Sequence, residues 1–218
     1  MTGSNSALER ERSDVTVACR RLAQAGLLVG TAGNVSVRAG DLVAVTATGA
    51  VLAEITPAQV TVVDPAGSVV AGELAPTSEI DLHLGAYRRF RTGAVVHTHA
   101  PMATALSCVL DELPCVHYQM LALGGAVRVA PYATFGTPDL AESVLTALDG
   151  RAAALMANHG AVTHADTLHR AVEHALLLEW ACGVYWRAAA VGSPRVLDED
   201  AMGAVAATIA ERGYGRLK

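Results

Sequence analysis

Apolar residues recur along this chain at two different periods. Val15, Ala18, Leu22 and Ala25 follow helical spacing and predict a helix over residues 6–25, with Gly26 suited to stop it. Residues 35–38 and 42–46 predict two strands joined across the Ala-Gly-Asp turn at 39–41. A second hairpin is expected over 60–71, turning at Asp64-Pro65-Ala66-Gly67. Thr77 or Ser78 is placed to cap a helix reaching about residue 91, with Ile80, Leu84, Tyr87 and Phe90 on its inner face. Residues 94–99 predict a short apolar strand, and Pro101 opens a helix to about residue 110. Beyond it the pattern predicts strands at 115–118, 127–130 and 153–156, and helices at 137–148, 167–190 and 198–211.

Strands and helices mix here without the strict alternation of a parallel doubly wound sheet. The hairpins instead predict an α/β fold of three layers, α/β/α, around a central mixed, mostly antiparallel sheet. No repeat, low-complexity tract or linker divides residues 1–218, so one domain is expected. Hydrophobic residues at 52% against 17% charged exclude a disordered chain. A net charge of −5 with no basic run argues against a nucleic-acid partner. No apolar stretch approaches the roughly 20 residues of a membrane helix. The polar segment at 1–14 lacks the apolar core of a secretory leader, so a soluble, cytoplasmic protein is expected. Cys19, Cys108, Cys115 and Cys182 form no Cys-x-x-Cys pair and are expected to be reduced, buried thiols.

Candidate chemistry begins at Val95-Val96-His97-Thr98-His99. Side chains alternate along a strand, so His97 and His99 point the same way. Two adjacent imidazoles ending an apolar strand suit a divalent metal, for which neutral imidazole nitrogen is a good ligand. Two hydrogen-bonded structural histidines are the competing reading. A third ligand is offered by Asn158-His159-Gly160, which also follows an apolar strand, with Gly160 permitting a sharp turn. Three histidines with an open fourth position describe a catalytic zinc site rather than a closed structural one. His83, His117, His164, His169 and His174 carry no comparable signal.

Pro76-Thr77-Ser78-Glu79 reads most simply as a helix start. The same hydroxyls and free N–H groups suit an anion, and a glutamate there could accept a substrate proton. Two further segments, residues 30–36 and 46–49, are rich in Gly, Thr, Asn and Ser and offer donors to a phosphate without any lysine. No Walker-type Gly-x-x-x-x-Gly-Lys is present.

Together these segments resemble the class II aldolase/adducin family. GTAGNVSVR at 30–38, VTATG at 45–49, PTSE at 76–79, VVHTHA at 95–100, APYATFGT at 130–137 and NHG at 158–160 fall in family order along nearly the whole chain. The resemblance implies one zinc ion per subunit, or another divalent metal, on His97, His99 and His159. Glu79 would be the acid/base and a further ligand of the resting metal. Gly33, Asn34, Thr48, Gly49, Thr77 and Ser78 match phosphate-binding positions, and Phe135 a substrate-pocket aromatic. Tyr118 matches a proton donor reaching in from a neighbouring subunit, and Tyr214 a C-terminal residue closing over the site. A homotetramer with sites between subunits is implied as well.

The implied activity is reversible cleavage of a ketose 1-phosphate, of the L-fuculose 1-phosphate kind, to dihydroxyacetone phosphate and a short aldehyde such as lactaldehyde. The same family holds pentulose-phosphate 4-epimerases, sugar-phosphate dehydratases and decarboxylases, and adducin-like interaction modules. Glu79, APYATFGT and the intact histidine set favour the aldolase.

Overall fold

The computed structural model describes residues 8–212. Helix α1 (Glu9–Gln24) leads to a hairpin of β1 (Asn34–Ala39) and β2 (Leu42–Thr46), then β3 (Val60–Val63) and β4 (Val69–Ala71). Next come α2 (Ile80–Arg89), β5 (Ala94–Thr98), α3 (Pro101–Ser107) and β6 (Glu112–Leu113). The chain continues through β7 (Val127–Ala130), α4 (Pro138–Ala147), β8 (Ala153–Met156), β9 (Gly160–Ala165), α5 (Leu168–Val191) and α6 (Glu199–Arg212).

The nine strands of the described residues join one sheet in the order β4-β3-β2-β1-β5-β9-β8-β7-β6. Every pairing is antiparallel except β7 with β8, so the mixed, mostly antiparallel α/β fold is the one observed. Alternating side chains give the sheet two apolar faces. Val35, Ala94, Val96 and Leu155 face one core, shared with α1, α3 and α5. Val43, Val45, Val95 and Ala154 face the other, covered by α2 and α4. Among the described residues no helix is long and apolar enough to cross a membrane.

Several expectations shift. Residues 115–118 are not a strand: β6 lies earlier, and Tyr118–Leu123 wind into a 3-10 turn. The Cys115 carbonyl accepts from Leu197 N, ahead of α6, instead of from a sheet neighbour. Residues 160–165 form β9, a strand not expected from the sequence, which packs between β5 and β8. Helix α2 starts later and ends sooner than expected, and neither Thr77 nor Ser78 caps it; Glu79 occupies the cap position without a side-chain cap bond. Helix α3 also stops earlier, at Ser107. All four cysteines are free as expected, but Cys108 is exposed while the other three are buried.

This topology places the site. Strand β5 is central, and β1 and β9 flank it antiparallel. The start of β1, the end of β5 and the turn into β9 therefore meet at one end of the sheet.

Candidate metal centre and catalytic carboxylate

His97 is the partner of Asn34 across β1 and of Val162 across β9. Its imidazole is fully buried, and its Nδ1–H donates to the Ala161 carbonyl at 3.0 Å. That bond fixes the tautomer and aims the Nε2 lone pair into the site. His99 follows two residues on, just past the strand end, with its Nε2 3.0 Å from His97 Nε2. His159 arrives from the β8–β9 turn, where Asn158 holds φ 55. Asparagine is among the few non-glycine residues that tolerate this left-handed region. The three rings stand edge to face with centroids 4.8–4.9 Å apart.

Glycines make this approach possible. A Cβ on Gly33 would stand 2.9 Å from the His97 carbonyl oxygen, and one on Gly160 only 2.3 Å from that of Thr98. Bare backbone on both sides lets β1 and β9 close around the histidine-bearing end of β5.

Glu79, 7% exposed, sits against this cluster at the start of α2. Its Oε2 lies 3.2 Å from His97 Nε2 and accepts from Asn34 Nδ2 at 2.8 Å. Its Oε1 lies 3.6 Å from His159 Nε2 and has no hydrogen-bond partner among the described residues. Burial alone would raise the carboxyl pKa, the direction expected for an acid/base of this kind. The opposite is found: His97, the Asn34 amide, His159 and His83 together outweigh desolvation and hold it below the ordinary value.

The donor set fits a divalent cation. Three ring nitrogens lie within 4.8 Å of one another. Burial, then His97 and His159, push His99 down to about 4 against the opposing pull of Glu79. His159 is lowered likewise, by burial and then His97. His99 and His159 are thus held neutral, the form that binds metal. An orphaned carboxylate oxygen and converging lone pairs in a buried site are costly unless a cation lies between them.

A cavity of about 330 Å³ opens beside the cluster, lined by Gly33, Asn34, Thr48, Gly49, Thr77, Ser78, Glu79, His99 and Phe135 among others. Asn34 contributes little free polarity, because its amide is engaged at both ends, by Glu79 and by His83. Ser78, Thr48 and Gly49 are exposed to the cavity, whereas Thr77 is buried and its Oγ1 accepts from Glu79 N at 3.3 Å. Phe135, 68% exposed, stands at the rim. Tyr118 does not line this cavity; it is 49% exposed in a separate groove against α6. Tyr214 lies outside the described residues.

His83 was missed as a site residue. It is fully buried, four residues after Glu79, and bonds Asn34 and Ser36. The only signal was its spacing: positions 79, 83 and 87 share one face of a helix, and 34 and 36 share one face of a strand.

The chain belongs to the class II aldolase and adducin family: the model of the class II aldolase and adducin N-terminal domain matches residues 13–186. Together with the histidine cluster, this makes it a class II, metal-dependent aldolase. It is 36% identical over 212 residues to a 5-deoxy-D-ribulose 1-phosphate aldolase of Bacillus thuringiensis serovar kurstaki, covering 96% of this chain and 99% of that one. A 5-methylthioribulose-1-phosphate/5-deoxyribulose-1-phosphate aldolase of Rhodospirillum rubrum is 39% identical, covering 93% of this chain and 90% of the relative. Among solved structures, an L-fuculose 1-phosphate aldolase superposes with a TM-score of 0.89 at 34% identity, covering 96% of this chain and all of the other.

Proposed function

We propose that this chain is a zinc-dependent aldolase cleaving a 5-deoxypentulose 1-phosphate to dihydroxyacetone phosphate and a short aldehyde. The observation that carries the reading is the Glu79 carboxylate, buried against three converging imidazoles at the mouth of a hydroxyl-lined cavity. Similarity to the Bacillus and Rhodospirillum enzymes supports reading 5-deoxyribulose and 5-methylthioribulose 1-phosphates as substrates ahead of L-fuculose 1-phosphate. The fuculose phosphate stands as a second reading on the strength of the structural match.

His97, His99 and His159 would hold the cation, which when bound supplies a Lewis acid for charge developing on the ketose carbonyl. Thr48, Gly49, Thr77 and Ser78, with the loop at Gly33 and Asn34, surround the phosphate. Glu79 Oε1, the oxygen without a partner, takes the proton from the carbon beside the dihydroxyacetone phosphate carbonyl in condensation and returns it in cleavage. Phe135 closes the cavity on the aldehyde side. Tyr214 closes over the site, and Tyr118 handles the proton on the aldehyde oxygen from a neighbouring subunit of a tetramer. Its place in a groove away from its own site is compatible with that assignment.

The test is a coupled assay for dihydroxyacetone phosphate release from 5-deoxyribulose 1-phosphate and from L-fuculose 1-phosphate, with and without chelator. Release from the deoxypentulose phosphate at the higher kcat/KM, abolished by chelator, supports the reading. A product with the carbon chain intact would make the enzyme an epimerase or dehydratase instead.

A further inference from the structure

Strand β1 and helix α2 present matched polar columns where they meet. Asn34 and Ser36 lie on one face of β1, two residues apart, and Glu79, His83 and Tyr87 on one face of α2, four apart. Asn34 Nδ2 meets Glu79 Oε2 at 2.8 Å, and Asn34 Oδ1 meets His83 Nε2 at 2.5 Å. His83 Nδ1 meets Ser36 Oγ at 2.6 Å, and Ser36 Oγ meets the Tyr87 hydroxyl at 2.7 Å. Glu79, Asn34, Ser36, His83 and Tyr87 are all buried.

The proton positions follow from the end of the chain. A carboxylate only accepts, so Asn34 must turn its N–H to Glu79 and its carbonyl oxygen to His83. His83 Nε2 then carries the hydrogen and Nδ1 the lone pair. Ser36 spends its single proton on Nδ1, and Tyr87 donates to Ser36. Every link has one direction, and all of them terminate on Glu79 Oε2.

We infer that His83, locked by Ser36 and Tyr87, is a positioning residue that orients Asn34 so that Glu79 is held by Oε2 and leaves Oε1 free for the substrate proton. This rests on the assignment of Glu79 as the acid/base. Without the His83 N–H, Asn34 Oδ1 loses its buried donor and the amide is held from one side only, by the carboxylate it is meant to position. An amide free to swing no longer fixes Oε2, and Oε1 drifts from the reacting carbon. Stability alone does not call for such a residue, since replacing a buried hydrogen-bonded pair by apolar groups is often neutral.

The test compares His83→Phe, His83→Gln, Ser36→Ala and Glu79→Gln, each in the metal-loaded full chain. Elemental analysis measures metal content, and aldol kinetics are followed alongside deuterium exchange at the reacting carbon of dihydroxyacetone phosphate. His83→Phe is expected to lower kcat and exchange together by about tenfold or more, with KM within about twofold and metal unchanged. His83→Gln, which can still donate to Asn34 and accept from Ser36, recovers most of the loss. Ser36→Ala loses less than His83→Phe, in the same two readouts, and serves if the phenylalanine variant does not fold. In the Glu79→Gln background, His83→Phe costs no further turnover.

Full activity of His83→Phe, no rescue by glutamine, or an equal additional loss in the Glu79→Gln background overturns the inference. Undiminished exchange in Glu79→Gln itself overturns the functional reading beneath it, which separates the two failures.

Discussion

Gly160 lies against Thr98 so closely that a Cβ at position 160 would stand 2.3 Å from the Thr98 carbonyl oxygen and 3.4 Å from His97 Cε1. The obstacle is backbone, which cannot rotate away. Gly160→Ala is expected to push β9 from β5 and draw His159 out of register with His97. We expect a loss of about 2–3 kcal/mol in stability, typical of overpacking, together with weakened metal binding. Thermal melts and elemental analysis check this; an alanine variant with native metal content and native Tm refutes it.

His99→Ala separates the metal from the fold. His97 is wholly buried and bonded to the Ala161 carbonyl, so removing it also opens the core, whereas His99 is half-buried at the cavity wall. The variant is expected to keep its circular dichroism spectrum and lose bound zinc and more than about 100-fold in turnover. Added zinc should raise the Tm of the native chain, because it binds only the folded state. The variant should show little such rise, and an equal rise in both would remove His99 from the ligand set.

A third expectation concerns the segment that follows His99. Helix α3 starts Ala100-Pro101-Met102-Ala103, with no side chain at its own start able to cap it. Proline needs no hydrogen bond at the first position, which leaves the next two N–H groups orphaned. Glu179 of α5 takes both: Met102 N and Ala103 N each donate to its carboxylate at 2.9 Å. Glu179→Ala should therefore destabilise the fold by about 1–3 kcal/mol, with Glu179→Gln, which keeps an acceptor, less affected. Denaturant melts of the two variants decide it, and equal stability of native and alanine chains would show that water caps α3 as well.

What the sequence made legible is what local pattern encodes. The His-x-His pair on an apolar strand, the histidine after a second strand and the hairpin at 60–71 depend on periodicity and turn chemistry within a few residues. Misread elements depend on distant partners. Residues 115–118 have strand-like composition, yet the Cys115 carbonyl bonds Leu197 rather than the sheet. Residues 160–165 follow a turn and carry no predicted element, but become a central strand because β5 and β8 are both waiting for a neighbour. The roles of His83 and Glu179 were invisible for the same reason. They act through residues 49 and 76–77 positions away, and local pattern offers at most the helical spacing of 79, 83 and 87. The direction of the Glu79 shift also had to await the three-dimensional site, since burial and neighbouring imidazoles pull against each other.

The buried histidines give the metal-free chain a definite response to acid. Burial, helped by His97 and opposed by Glu79, pushes His83 from 6.5 down to about 3. His99 falls to about 4, again by burial first, and His159, His164 and His174 are lowered as well. Each stays neutral when folded, while the unfolded chain takes a proton near 6.5. Between that value and the folded ones the unfolded state binds more protons, so stability rises with pH across the window and falls as the solution is acidified below 6.5. His83 alone contributes about 1.4 kcal/mol per pH unit there. Glu79, lowered from 4.5, acts in the same sense at still lower pH: its contribution is present above the unfolded value and lost as pH falls through the folded one. The Tm of chelator-treated protein should therefore drop markedly from pH 7 to pH 5, and His83→Gln should flatten part of that slope. A Tm that holds level over this range would mean that these imidazoles are solvated or already charged in the folded chain.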